Sequence, residues 1–259
     1  MRISNEEIQA GCLSPDTLKR VVRELQDVGY VVLEQVLDRE TVRRVHDAYL
    51  PVFEAHIQQP EVRARIEGGN KYVGMSPPFA PPFTEEVICA NPLAVQVMEA
   101  AMGEVICNFY HSNATVQGTE VQAIHIDMPS LLFPGFPVAL PPWLMVVNIP
   151  LIDFTLENGS TEVWPGTHLN PNEQDLAERC GALPSARVNA LVGDLVIRDL
   201  RLWHRGMPNH TNAVRPMLAI VYHRPWVRLT RPPIEIPRAS WEALSERAQR
   251  IFAQNVVVG

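Results

Sequence analysis

The sequence predicts a mainly β protein with flanking helices, built around an antiparallel sandwich or barrel. Between about 104 and 230, short runs rich in β-branched and aromatic residues alternate with turn residues. On both sides of this stretch, apolar residues repeat at helical spacing instead. We therefore expect a single domain over 1–259, with a helical N-terminal part over 1–103, the β core, and a C-terminal helix over 239–254.

The N-terminal part carries three strong helix signals. Each is a segment with apolar residues at helical spacing, preceded by a residue suited to N-capping: 15–28 after Ser14, about 39–57 after Asp38, and about 92–102 after Asn91. Gly29 can end the first helix, and the β-forming residues that follow predict a short strand over 30–33.

The β core is predicted from runs of strand-forming residues bounded by turn signals. The expected strands are 105–111, 114–124, 143–151, 161–164, 187–197 and 216–224. By contrast, segment 68–83 is dense in glycine and proline and shows no regular period, so we expect a loop there.

Composition narrows the classes of partner. Acidic residues outnumber basic ones by 29 to 22, so nucleic acid and anionic membranes are not expected partners. The N-terminus lacks the profile of a signal peptide and no apolar run could span a bilayer, which predicts a cytoplasmic protein. The four cysteines are scattered and are expected to be free thiols: Cys12, Cys89, Cys107 and Cys180.

A candidate metal-binding pair lies at His125 and Asp127. Residues two apart on a strand face the same side, so an imidazole and a carboxylate can reach one ion. Such a pair is common by chance, but the downstream sequence strengthens the interpretation that it binds a metal. There a strand-like run leads to His204, and a second run begins with Arg215, eleven positions further on. Two histidines and one carboxylate on one face of Fe(II) leave positions open for substrate and O₂.

These residues resemble the phytanoyl-CoA dioxygenase family, a branch of the Fe(II)- and 2-oxoglutarate-dependent oxygenases. The likeness includes the histidine–aspartate pair, the distal histidine and the arginine after it. It spans about 14–226 and extends to two further segments, the N-terminal 29–45 and the turn-rich 157–168. The family has a double-stranded β-helix core, a cupin-like jelly-roll of two antiparallel sheets, and we expect that fold here.

The resemblance implies a role for each matching residue. His125, Asp127 and His204 would bind Fe(II), with the histidines neutral and the aspartate ionised. Arg215 would grip the distal carboxylate of 2-oxoglutarate, because its planar fork suits a carboxylate. Two further residues occupy positions at which family members contact the oxoacid, although the tryptophan could equally pack in the core: Gln122 and Trp143.

One position departs from the family pattern. Members often carry a serine or threonine two residues after the distal histidine, which helps the arginine to hold the carboxylate, whereas this chain has Gly206. The missing hydroxyl could come from Thr115, from Tyr222 or from a water molecule.

The implied reaction couples O₂ and decarboxylation of 2-oxoglutarate to oxidation of a C–H bond, with hydroxylation as the default outcome. Desaturation and cyclisation are alternatives, and Asp127 argues against halogenation. Two rival functions stay open: a cupin-like metal dioxygenase that does not use 2-oxoglutarate, and a binding protein that retains only the fold. The expected partner is a small molecule of secondary metabolism, and the choice between monomer and homodimer stays open.

Several other residues could shape the site. Tyr72, Met75, Phe79 and Phe83 could form an apolar lid over the metal or merely stiffen a surface loop, and we favour the lid. With the apolar run 131–136, such a lid would indicate a compact, fairly apolar substrate. We expect His168 to be structural, and the role of His111 stays open. A solvated edge or, less commonly, an anion site is expected at Arg198, Arg201 and Arg205.

Overall fold

Two antiparallel sheets form the centre of this computed structural model, which describes residues 1–127, 140–169 and 176–259. The strands are β1 (Tyr30–Leu33), β2 (Tyr72–Met75), β3 (Ile106–Thr115), β4 (Leu144–Pro150), β5 (Thr161–Val163), β6 (Ala186–Val188), β7 (Leu195–Asp199), β8 (His204–Arg205), β9 (Arg215–His223), β10 (Glu235–Pro237) and β11 (Val256–Val258).

The helices lie mainly in the N-terminal part. They are α1 (Asn5–Ala10), α2 (Pro15–Val28), α3 (Arg39–Ile57), α4 (Pro60–Glu67), α5 (Glu86–Cys89), α6 (Pro92–Met102), α7 (Leu176–Ala182), α8 (Arg238–Glu242) and α9 (Glu246–Ile251), with a 3₁₀ turn at Thr167–Leu169. Among the helices described, none combines the length and the apolar character that crossing a membrane requires.

The expected jelly-roll is confirmed. The major sheet has six strands in the order β1-β7-β4-β9-β3-β2, and the minor sheet has three in the order β6-β5-β8. Every pairing within these two sheets is antiparallel. Strand order departs from chain order because the chain crosses between the two sheets four times, after β4, β6, β7 and β8, as in a double-stranded β-helix.

Alternation along the central strands separates a packed outer face from an inner face. On β4, Val147 and Ile149 belong to the main core together with the buried faces of α2, α3 and α6. The intervening Leu144 and Val146 point to the other side and line a cavity between the sheets. This arrangement explains why every residue of β4 is buried, and it leaves the inner face available for a functional site.

The N-terminal helix predictions are confirmed in both position and capping. The predicted segments 15–28, 39–57 and 92–102 coincide with α2, α3 and α6. Each predicted cap accepts a backbone hydrogen bond: Ser14 from Thr17, Asp38 from Thr41, and Asn91 from Leu93 and Ala94.

One prediction about the N-terminal half is wrong, and another is confirmed. The glycine- and proline-rich segment 68–83 is not all loop, because β2 pairs with β3 at the edge of the major sheet. The strand predicted over 30–33 is β1, so the part over 1–103 supplies two strands to that sheet in addition to its helices. A four-residue edge strand carries too short a pattern to stand out beside its prolines.

Three element boundaries also differ from prediction. The strand expected over 114–124 ends in β3 at Thr115. The strand expected over 187–197 is two strands, β6 and β7, because Gly193 adopts a left-handed φ of 104° in the turn between them. The helix expected over 239–254 is two short helices, α8 and α9, because Ser245 caps a new helix at that point.

Gly159 permits a close approach between two connecting loops. Its φ is 85°, and a Cβ at this position would lie 2.3 Å from the carbonyl oxygen of Met207. The left-handed turn expected around Asn158 and Gly159 is thus present, and the second loop follows directly after β8.

We expect Gly159→Ala to lower the free energy of unfolding by roughly 2–4 kcal/mol, because it adds both backbone strain and a clash with rigid backbone. Gly181→Ala is the matched control, since that helical glycine has open space around it and should cost nothing. Urea denaturation of both variants measures the difference, and equal stabilities would contradict the explanation.

Candidate active site

A short stretch of backbone pairing brings the two halves of the site together. The amide of His125 donates to the carbonyl of His204 at 2.9 Å, and the amide of His204 donates back at 3.0 Å. Flanking bonds join Gln122 to Gly206 and Asp127 to Leu200. Segment 122–127 is therefore an irregular, extended neighbour of β8, which explains why sequence patterns suggested a strand there.

Three side chains meet at this junction. The potential donor atoms of His125, Asp127 and His204 all lie within 4.8 Å of one another. His204 Nε2 is 3.4 Å from one carboxylate oxygen of Asp127, and His125 Nε2 is 3.8 Å from the other. Adjacent ligands of an octahedral ion with bonds of about 2.1 Å stand about 3 Å apart, so the cluster needs only a small contraction to hold one ion.

Backbone carbonyls set the orientation of both imidazoles. His125 Nδ1 lies 2.8 Å from the carbonyl oxygen of Ala123, and His204 Nδ1 lies 2.9 Å from that of Leu202. A carbonyl can only accept, so each Nδ1 carries the proton and each Nε2 keeps its lone pair. Burial, assisted by Arg198, also lowers the pKa of His204, which favours the neutral form that a metal requires.

Arg198 holds the carboxylate of Asp127. One guanidinium nitrogen donates to Asp127 at 2.6 Å, and another lies 3.2 Å from His204 Nδ1. Burial would raise the pKa of Asp127, but the hydrogen-bonded guanidinium of Arg198 opposes burial, and the pKa lies well below its usual range. Although 37% of the Asp127 side chain is accessible, the residue lines the cavity between the sheets. The carboxylate is thus ionised and turned toward that cavity.

Arg215 forms one end of the cavity, whose volume is about 580 Å³. The residue is only 3% exposed, and its guanidinium lies 4.5 Å from the centre of the Phe154 ring. Its Nε donates to the hydroxyl of Thr115 at 3.1 Å, whereas Nη1 has no hydrogen-bond partner among the described residues. Burial lowers the pKa of Arg215 to about 10, so it stays charged at neutral pH. A buried, charged and unsatisfied donor beside a cavity is suited to an anionic ligand.

Tyr72 occupies the space that a side chain at Gly206 would need. A Cβ on Gly206 would lie 2.3–2.6 Å from ring and hydroxyl atoms of Tyr72. The tyrosine hydroxyl donates to the backbone carbonyl of Glu120, and the tyrosine lines the cavity beside Arg215. The glycine that departs from the family pattern therefore admits an aromatic residue with a hydroxyl of its own.

The two other residues predicted to contact 2-oxoglutarate, Gln122 and Trp143, differ in whether they reach the cavity. Gln122 lines the cavity, and its side-chain oxygen accepts from the amide of Gly206 at 2.8 Å. Trp143 is not among the described lining residues, because it packs against Trp226 with ring centres 6.1 Å apart. Of the two hydroxyls considered for Arg215, Thr115 is in contact, whereas Tyr222 bonds to the carbonyl of Cys89 on the opposite face.

The predicted apolar lid is wrong in part, because only two of its four residues lie at the cavity. Tyr72 and Met75 lie in β2 and line the cavity. Phe79 instead packs edge-on against Phe252, and Phe83 is buried in the main core. The apolar run over 131–136 lies outside the described residues.

The expected solvated cluster of arginines is also wrong. Arg198 and Arg201 are buried, the first against Asp127 and the second against Asp199 at 2.7 Å. Arg205, the more exposed of the three, pairs with Glu162. Alternation on β7 and the sharp turn after it carry these side chains inward, and a local charge count could not reveal this.

Two of the other histidines, both considered in the sequence analysis, have clear places. His168 is buried and bonds to the carbonyl of Gln26 at 3.0 Å, in keeping with a structural role. His111 lines the cavity, where burial lowers its pKa to about 4, with Asp127 opposing and Arg231 adding to the shift. His111 is therefore a neutral cavity residue.

Comparison with known proteins agrees with this geometry. The model of the phytanoyl-CoA dioxygenase (PhyH) family matches residues 25–217. The chain belongs to this family. The expected enzyme class, dioxygenases that use Fe(II) and 2-oxoglutarate, is the class to which its PhyH relatives belong.

Individual relatives differ in how much of their length the chain covers. The chain is 30% identical over 170 residues to dioxygenase af480 of Aspergillus fumigatus, covering 63% of this chain and 52% of af480. It therefore spans about half the length of that curated relative. The fold also matches AviO1 from Streptomyces viridochromogenes Tue57, with a TM-score of 0.62 and 19% identity over 84% of this chain and 99% of AviO1. A further match is SnoK, a non-haem alpha-ketoglutarate-dependent carbocyclase from nogalamycin biosynthesis, with a TM-score of 0.59, 21% identity, and coverage of 83% and 88%.

We expect Arg198→Met to weaken Co(II) binding to this PhyH-family protein by roughly 10- to 100-fold. Without the guanidinium, the carboxylate of Asp127 can rotate, and its pKa rises toward a value at which metal must displace a proton. Arg198→Lys restores the charge without the fork and should recover part of the affinity. Titration followed by the Co(II) absorption spectrum measures the effect, and tighter binding in Arg198→Met would mean that charge repulsion dominates.

A double-mutant cycle tests the contact between Gly206 and Tyr72. We expect Gly206→Ala to cost about 1–3 kcal/mol of unfolding free energy, because the ring must leave its position. In a Tyr72→Ala background, the same change should cost less than about 0.5 kcal/mol. Additive costs in urea denaturation would rule out the contact as the reason for the glycine.

Proposed function

We propose that this chain is an Fe(II)- and 2-oxoglutarate-dependent oxygenase that acts on a small molecule. One observation supports it most strongly. The His125–Asp127–His204 cluster and the unsatisfied guanidinium of Arg215 face the same cavity between the sheets. The three metal ligands alone would be compatible with several kinds of metal enzyme. Together with the buried guanidinium of Arg215, they suit a dicarboxylate that chelates the metal.

The protein's own groups would prepare the metal site. His125 and His204 offer Nε2 lone pairs because their Nδ1 protons are donated to carbonyls. Asp127 offers an oxygen while Arg198 holds the carboxylate in place. When bound, Fe(II) and 2-oxoglutarate use O₂ to give succinate and CO₂, and the second oxygen atom serves to oxidise a substrate C–H bond.

The co-substrate end would be organised by Arg215. Thr115 fixes the Nε of the guanidinium, and Phe154 supports its face, so the free edge is directed into the cavity. In this position it would accept the distal carboxylate of 2-oxoglutarate in a forked, charge-assisted pair. The hydroxyl of Tyr72 lies on the same side and would turn from the carbonyl of Glu120 to take the place of the serine or threonine that Gly206 replaces.

The substrate would occupy the opposite, largely apolar end. That end is lined by side chains from the inner faces of three strands and the turn after β7: Phe109, Leu144, Val146, Leu200, Ala219 and Val221. Such walls exclude water from the reacting groups and favour a compact apolar substrate. Hydroxylation is the default product, and desaturation or cyclisation would use the same oxidant. A role in secondary metabolism is supported by SnoK, whose name includes nogalamycin biosynthesis.

We expect Arg215→Met to raise the KM for 2-oxoglutarate by roughly 10- to 100-fold, which corresponds to losing hydrogen bonds to a charged group. Succinate release from the Fe(II)-loaded protein measures turnover. Co(II) affinity should be unchanged, because Arg215 does not touch the triad. Arg228→Met is a matched control, since that exposed arginine is not among the described residues that line the cavity.

The same assay separates the rival function. Oxygen consumption without succinate release, or equal KM values in wild type and Arg215→Met, would favour a metal dioxygenase that does not use 2-oxoglutarate. Absence of metal binding by the wild-type protein would favour a non-catalytic binding protein.

A further inference from the structure

The apolar end of the cavity carries an arginine that the proposed oxidation does not use. The segment following β9 bends back over the cavity, and three of its residues line it: Leu229, Thr230 and Arg231. The other two arginines of the lining have assigned partners, since Arg198 holds Asp127 and Arg215 faces the co-substrate end. Arg231 is therefore the arginine of the described lining whose charge neither the metal site nor the 2-oxoglutarate site uses.

Aromatic stacking fixes the position of Arg231. Its guanidinium carbon lies 3.9 Å from the centre of the Phe109 ring, which is cation–π contact. The opposite face of Phe109 stacks on His111, with ring centres 4.1 Å apart and planes at 8°. His111 is held in turn by a 3.0 Å contact between its Nε2 and the side-chain nitrogen of Asn113. The guanidinium thus lies over a pair of stacked rings that hold it at the cavity.

No acidic side chain neutralises this arginine within the part of the chain that the structure describes. The ion pairs found there engage other arginines, among them Arg198, Arg201 and Arg205, and none includes Arg231. An arginine stacked on an aromatic ring and lacking a carboxylate partner keeps its full hydrogen-bonding capacity for a ligand.

Charge counting across the cavity favours an anionic ligand at this end. The described lining contains three arginines and a single carboxylate, that of Asp127. A ferrous ion and a 2-oxoglutarate dianion would cancel one another, so the cavity would stay positive when both are bound. This contrasts with the acidic chain as a whole, whose formal net charge is −7. The surplus positive charge attracts anions to the cavity, and the exposed guanidinium of Arg231 is accessible to them.

We propose that Arg231, seated on Phe109, binds the carboxylate of a substrate whose apolar body lies along Leu144, Val146 and Val221. This inference rests on the proposed function, since it assigns the substrate end of the same cavity. The substrate class is a monocarboxylic acid with a compact hydrocarbon body. The single planar fork of one arginine matches a carboxylate, whereas a phosphorylated or coenzyme A-linked substrate would call for several cations at the mouth.

Binding of the carboxylate at Arg231 would also determine how the substrate is oriented. A carboxylate anchored at Arg231 fixes one end of the substrate, so the carbon presented to the triad is set by its distance from the carboxyl group. Apolar walls alone hold a ligand with little directional preference, whereas one charged anchor sets its direction.

The test compares a matched acid and amide that differ only in charge. The probes are decanoate and decanamide, bound by equilibrium dialysis to protein loaded anaerobically with Fe(II) and 2-oxoglutarate. We expect wild-type protein to prefer decanoate by roughly tenfold or more, as for a charged hydrogen-bonded pair. Arg231→Met should abolish the preference, Arg231→Lys should keep part of it, and Arg228→Met should leave it intact.

A second variant addresses the stack itself. Phe109→Leu keeps the cavity apolar but removes the platform, so we expect the ratio of decanoate binding to decanamide binding to fall by several-fold. Because Arg231 is exposed, its replacement should leave the melting temperature unchanged, and circular dichroism checks this.

The outcomes separate this inference from the proposed function. Binding of 2-oxoglutarate is measured in the same samples and should be equal in wild type and Arg231→Met, because Arg215 holds it. Equal binding of the two probes to wild type, failure of decanoate to bind, or an undiminished preference in Arg231→Met would overturn the carboxylate subsite. Failure of the wild type to bind 2-oxoglutarate would instead overturn the proposed function.

Discussion

The reciprocal backbone pair between His125 and His204 is the constraint on which the rest of the site depends. These residues are 79 positions apart, and their two hydrogen bonds bring both imidazoles to one point. The same short ladder continues to Asp127 on one side and to Gln122 on the other. The metal cluster and the entrance to the co-substrate end are therefore held by one set of main-chain bonds, which side-chain substitutions leave largely intact.

The two-ended cavity follows from the alternation of strand residues. On β4 and β9, alternate residues belong to the helix-covered core, and those between them face inward. Polar and charged residues are placed where a ligand needs them: Arg215 begins β9, Arg198 lies on β7, and Arg231 follows β9. Each arginine is oriented by a neighbouring side chain rather than by the sheet itself. Thr115 orients Arg215, Asp127 orients Arg198, and Phe109 orients Arg231.

The parts of the site that share a local pattern could be predicted from the sequence. His125 with Asp127 is a two-residue alternation, and Arg215 stands at a set interval after His204 in a recognisable pair of strands. The helices over 15–28, 39–57 and 92–102 were likewise predictable, because each combines an N-capping residue with apolar residues at helical spacing.

The remaining parts depend on contacts between distant segments. Tyr72 meets Gly206 across 134 positions, and Arg198 reaches Asp127 across 71. No local period marks such pairs, so Arg198 resembled a surface charge and Tyr72 resembled part of a flexible lid. The useful hint was the departure at Gly206, because a glycine in place of a hydroxyl residue indicates that another group needs the space.

The most direct measurement of the central claim is anomalous diffraction at the iron edge from anaerobic crystals of the Fe(II)-loaded protein. We expect one strong peak at about 2.1 Å from the Nε2 atoms of His125 and His204 and from a carboxylate oxygen of Asp127. A peak bound through either Nδ1, or one that leaves His204 outside bonding distance, would contradict it.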